Sequence, residues 1–163
     1  MGHDVLVSSH VKIRFALERD ESGWPPAESE GLWALPMEGN LFRLDNTPWF
    51  VRGVAADDVV EASPDRDGVL WFVQVRHRGE RTVVRVIPRA DGPLAGDRQA
   101  VLDAFTPLGV TGEGMSSPVN MVALDIGPAA PIAWVKSLLA QGEADGRWYY
   151  EEGCITEEWR RLE

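Results

Sequence analysis

The side chains best suited to metal or nucleophilic chemistry are few: three histidines (His3, His10 and His77) and one cysteine, Cys154. No two of them stand at metal-ligand spacing, and neither a paired-cysteine motif nor HExxH occurs, so no metal centre is expected. Cys154 with His77 is the sole Cys/His combination for nucleophilic catalysis. A free cysteine more often serves as a small buried hydrophobe. The run Gly112-Glu113-Gly114, followed by Ser116-Ser117, is rich in small residues. It lacks both GxxxxGK[ST] and GxGxxG, so it supports no nucleotide site, and no cofactor is expected.

Two other groups of residues could bind or titrate. Arg76, Arg78, Arg81, Arg85 and Arg89 gather with His77 and a single acid, Glu80, into a cationic stripe. Such arginines either pair with neighbouring carboxylates or hold an anion, since a guanidinium fork matches carboxylate and phosphate. Asp125 interrupts an otherwise apolar run. It would face outward by strand alternation, or sit buried with a partner and serve with His77 as a weak acid/base candidate. The turn Asp45-Asn46-Thr47-Pro48 leads into Trp49. Asp and Asn side chains organise such turns, and Asn46 and Trp49 could equally form a recognition surface. Of seven tryptophans, Trp33 and Trp71 are expected in the core. Trp24, Trp49 and Trp148 stand beside turns, where they could line a pocket or a partner surface.

Charge narrows the partners. Sixteen basic and 26 acidic residues leave a net charge of −10. Such a chain repels nucleic acid and anionic membranes and favours a protein, a peptide or a small molecule. The middle third is balanced, with eight acids and eight bases over residues 51–100. No apolar run approaches the roughly 18 residues that cross a bilayer. The N-terminus shows no secretory pattern, and one cysteine fits a reducing compartment, so a cytoplasmic home is expected.

The elements that must position these groups change character along the chain. Residues 11–18 alternate, with Val11, Ile13, Phe15 and Leu17 on one face of a strand. Short β-rich runs follow at 31–36, 41–44, 58–62, 69–77 and 81–88, separated by Gly, Pro and Asp turns. From 97 the period becomes helical. Asp97 can cap a helix through Phe105, and Pro131 can open a second one with Ile132, Val135, Leu138 and Leu139 inward. Strands are expected at 110–117, 120–126 and 148–151, with Thr156 capping a terminal turn. Residues 1–80 thus read as a small antiparallel β lobe, a partly open barrel. Residues 81–155 read as a ferredoxin-like β-α-β-β-α-β lobe in an α+β protein. Residues 156–163 add a short helical turn, and the lobes are expected to form one compact unit.

Four segments carry a resemblance: EGLWA at 30–34, LDNTPWF at 44–50, GERTVVRV at 79–86 and EADGRWYYEEGC at 143–154. With these the chain resembles a bacterial family catalogued as domain of unknown function 4265. The resemblance spans residues from about 11 to 155 and implies no activity, cofactor or catalytic residue.

Two functional expectations follow. The first is a non-catalytic binding or interaction protein, regulatory, adaptor or immunity-like. It would recognise a protein, peptide or small molecule through Trp49, Asn46 and Trp148 on the sheet face and inter-lobe groove. The second is a small enzyme or accessory acting on an anionic small molecule held by Arg81 and Arg85, with His77 or Asp125 as acid/base. The residues leave open whether the protein is an enzyme, and they specify no oligomeric state.

Overall fold

The computed structural model describes residues 10–162, so His3 lies outside the described residues. The chain divides after Gly79 into two units with separate cores.

In the first unit five strands run as a meander: β1 (Val11–Ala16), β2 (Ser29–Pro36), β3 (Leu41–Leu44), β4 (Val59–Pro64) and β5 (Leu70–His77). Each pairs antiparallel with the next, and the ring closes by a short parallel pairing of β1 with β5. A closed meander with an odd number of strands must contain one parallel pair. The small antiparallel barrel expected from sequence is thus present, and this one parallel pair closes the ring that was expected partly open. Alternation places Ile13 and Phe15, Leu32 and Ala34, Phe42 and Leu44, and Val60 and Ala62 inside, where they form the core with Val51 and Val54. The same parity turns Trp33 outward, and it is 45% exposed. The core position expected for Trp33 is thus corrected: its neighbours Leu32 and Ala34 take the inner face.

The β4–β5 hairpin is organised by Asp65, as its turn residues require. Its Oδ1 accepts the backbone N–H of Asp67 at 2.8 Å and of Val69 at 3.0 Å, and its Oδ2 accepts the Trp71 indole N–H at 3.0 Å. Trp71 is only half-buried and braces this turn rather than the core. The indole bond first, then the Val69 amide, holds the Asp65 carboxyl below its ordinary value. A depressed folded-state pKa adds stability that is present above the unfolded value, near 4, and is lost as pH falls through the folded value. The Trp71 indole N–H resonance is therefore expected to titrate only below about pH 4 in the wild type. It should lose that step in Asp65→Asn; a shift near neutrality would contradict the assignment.

The second unit is built from β6 (Thr82–Pro88), α1 (Arg98–Phe105), β7 (Thr111–Met115), β8 (Met121–Ile126), α2 (Ile132–Ala144), β9 (Trp148–Cys154) and α3 (Glu157–Arg160). Its sheet order is β7-β8-β6-β9, with all neighbours antiparallel. This is the ferredoxin-like arrangement that the strand–helix order implies. The caps fall where the residues predict: Asp97 accepts from Gln99 N–H at 2.9 Å and Thr156 from Trp159 N–H at 3.1 Å. Val84, Val86, Val122, Leu124 and Ile126 cover the helix-facing side, packed against Val101, Phe105, Val135 and Leu139. Trp148 and Trp159 complete this core at 0% exposure. A 3-10 turn, Thr106–Leu108, ends on Gly109 with φ of +76°.

Among the described residues no helix is long and apolar enough to cross a membrane.

Candidate functional site

The arginine stripe is divided between the two units, Arg76 and Arg78 in the first and Arg81, Arg85 and Arg89 in the second. Arg81, Arg85 and Asp125 share one face of β6 and β8, because Val83 lies opposite Asp125 and Arg85 opposite Ala123. Each charge has its own partner. Arg81 grips Asp125 through two bonds of 2.7 and 3.1 Å, and Arg85 Nε donates to Glu151 at 3.0 Å. Arg76 stands 3.5 Å from Glu61, Arg78 3.3 Å from Asp58, and Arg89 3.0 Å from Asp91. All five stripe arginines thus stand in ion pairs, the first of the two roles open to them in the sequence. Arg85 is itself buried, at 1% exposed. Gly153 explains how the guanidinium fits. It is the extra residue of a bulge in β9, and a Cβ there would lie 2.6 Å from Arg85 Nη1.

The other sequence candidates separate. Trp148 is wholly enclosed, its indole donating to the Leu139 carbonyl at 3.0 Å. A ring without exposed surface has none to offer a partner, so the surface expected of Trp148 is corrected to core. His77 is exposed at the end of β5, and Cys154 is buried at the end of β9. Among the described residues no group of three His, Cys, Asp or Glu gathers that could hold a metal ion.

Asn46 and Trp49, by contrast, lie in a loop that the barrel holds unusually firmly. The responsible residue is Glu30, which sits on the inner face of β2 directly across from Phe15 and is 8% exposed. A buried carboxylate needs hydrogen-bond partners. Glu30 takes three successive backbone N–H groups: Trp49 at 2.5 Å, Phe50 at 2.9 Å and Val51 at 2.9 Å. Three bolder anchors follow the same strand and segment. Asn46 Oδ1 accepts the Trp33 N–H at 2.7 Å, the Asp45 N–H reaches the Trp33 carbonyl at 2.8 Å, and Val51 and Val54 enter the core. The backbone from 45 to 54 is therefore preset, and its side chains can present a fixed surface. Sequence reasoning singled out Asn46 and Trp49 but missed Glu30. The signal was legible: a carboxylate sharing the parity of Leu32 and Ala34 in a half-buried strand.

Two clefts border this loop. The first, of about 440 Å3, is lined by Phe15, Phe72, Trp24, Phe50, Glu18, Asp20 and Arg52 among others. Phe15 and Phe72 stack with centroids 4.8 Å apart, and Trp24 meets Phe50 edge-on at 5.9 Å and 83°. The loop bearing Trp24 is also preset. Asp20 Oδ1 accepts from Ser22 Oγ at 2.6 Å, Ser22 N at 2.8 Å and Trp24 N at 3.0 Å, while Arg19 donates to the Pro25 carbonyl at 3.0 Å. The Ser22 hydroxyl, then the Trp24 amide, lowers the Asp20 pKa and keeps its carboxylate ionised. The second cleft, shallower and of about 470 Å3, is lined by His10, Trp33, Asp45 and Asn46. There His10 Nε2 and Asp45 Oδ2 are 2.6 Å apart, and Lys12 Nζ lies 4.6 Å from the Trp33 ring centroid. Both clefts offer flat aromatic walls and fixed polar groups, a chemistry suited to binding.

A solved crystal structure of a hypothetical protein from Neisseria gonorrhoeae is similar to this one, with a TM-score of 0.71 over 89% of this chain and 96% of that chain. At 17% sequence identity the likeness is one of fold. No curated protein matches the sequence. The model of a family described only as a domain of unknown function, DUF4265, matches residues 30–150, a span running from Glu30 through the 45–52 loop to Tyr150 in β9, and the chain belongs to that family.

Proposed function

We propose that the protein is a non-catalytic binding protein and that the 45–52 loop of the barrel is its recognition element. One observation carries this reading: a buried carboxylate, Glu30, spends its bonding capacity on the backbone of a loop that walls two clefts. Preorganisation of this kind lowers the ordering cost of binding. The competing reading, an enzyme clamping an anionic small molecule with Arg81 and Arg85, finds less support, because each of those arginines already holds a carboxylate. The charge of −10 favours a protein or peptide partner with basic character over nucleic acid. A buried Cys154 that forms no disulfide fits a reducing compartment, and the proposal includes a cytoplasmic setting.

The test is native mass spectrometry of the wild type and of Trp49→Ala, each drawn gently from host lysate. The wild type should carry a stoichiometric partner, and the variant, with an unchanged melting temperature, should lose most of it. A partner held equally by both proteins, or a wild type that emerges bare, would overturn the assignment.

A further inference from the structure

The cleft beside Trp24 has a composition that specifies more than binding. Its walls are aromatic on two levels: Phe15 stacked on Phe72, and Trp24 meeting Phe50 edge-to-face at 83°. Its charged lining is two carboxylates, Glu18 and Asp20, against one guanidinium, Arg52, a net of −1. Asp20 is held in place by the Ser22 hydroxyl and the Ser22 and Trp24 amides, all on Oδ1, and remains an exposed carboxylate. Glu18 is exposed at the lip and makes no ion pair or hydrogen bond among the described residues.

Aromatic faces attract cations through their quadrupoles, and neighbouring carboxylates add a Coulombic component. An anion or a neutral apolar group gains less from the same lining. We propose that this cleft receives the cationic side chain, a lysine ammonium or an arginine guanidinium, of a basic partner polypeptide. The proposal rests on the binding reading above and names the chemistry of the partner. Charge complementarity selects the occupant: the protein carries a net charge of −10, and the cleft adds two carboxylates within an aromatic setting. The apolar stem of a lysine or arginine lies along rings while its head meets charge, which matches a cleft with both features.

The experiment is a nuclear magnetic resonance titration of the full chain with a lysine-rich octapeptide, an arginine-rich octapeptide and the lysine peptide acetylated at every lysine. Three proteins are compared: the wild type, Glu18→Gln and Phe50→Leu. The two cationic peptides should move the Trp24 indole signal and the amides of residues 18–25 and 50–52, and the acetylated peptide should not. Phe50→Leu keeps the charge and the apolar bulk but removes one π face, so it should weaken binding about three- to fivefold. Glu18→Gln is exposed and should preserve the fold while weakening binding by a similar factor. Equal binding of the acetylated peptide, shifts spread over the acidic surface without the cleft, or unchanged affinity in Phe50→Leu would each overturn the proposal. Its failure is separable from that of the broader reading. If the cationic peptides leave the cleft silent while Trp49→Ala still sheds a native partner, the loop binds but the ligand class is wrong.

Discussion

Glu30→Ala is expected to destabilise the first unit by about 4 kcal/mol, read as a lower urea midpoint. Each hydrogen bond to a charged group contributes about 1.5–3 kcal/mol, and the three made by Glu30 share one carboxylate, so they do not simply add. The Val51 N–H is buried, and the alanine variant removes the carboxylate oxygen that accepts it. Glu30→Gln should cost about half as much, because the amide oxygen still accepts while its NH2 group faces N–H donors. Amide hydrogen exchange at residues 49–51 should accelerate in both variants well before global unfolding. A loss below about 1 kcal/mol, with exchange unchanged, would mean that the loop is held by Val51 and Val54 instead.

The second large effect concerns Gly142, buried in α2 against the Trp148 indole. A Cβ there would lie 2.2 Å from Trp148 Cε2 and Cζ2 and 2.6 Å from Nε1. Alanine in a helix interior is ordinarily worth about 1 kcal/mol more than glycine. The expected sign here is reversed. Gly142→Ala must push α2 off the sheet or displace an indole that is 0% exposed and bonded to Leu139. Overpacking of this kind costs about 3 kcal/mol in a rigid core. Trp148→Phe removes the contacted atoms, so the penalty of Gly142→Ala should shrink by about 1–2 kcal/mol in that background. A stabilised Gly142→Ala, or additive costs, would show that the helix moves aside freely.

Much of the architecture was legible in the order of residues. The barrel strands follow from alternation, as in Ile13 and Phe15 or Leu32 and Ala34, and both helices begin where Asp97 and Pro131 stand. These are local signals, each decided within a few residues. The candidate site was legible in part. Asn46 and Trp49 sit in a turn whose composition marks it, and both lie in the pinned loop.

What the sequence by itself determined was therefore the element list, the faces of the strands and the strand–helix order of the second unit. What only the tertiary structure decided was which distant groups meet. Residue 30 and residues 49–51 are joined by a carboxylate, Arg81 by Asp125 and Arg85 by Glu151, across separations that no periodicity encodes. The tryptophans make the same point: Trp33, expected in the core, is exposed, and Trp148, expected beside a turn at the surface, is enclosed. Alternation says which side of a strand a residue takes, but only the packed fold says what covers that side. Pairing of charges and exposure of rings belong to that covering, which is why the cleft and its chemistry emerged only in three dimensions.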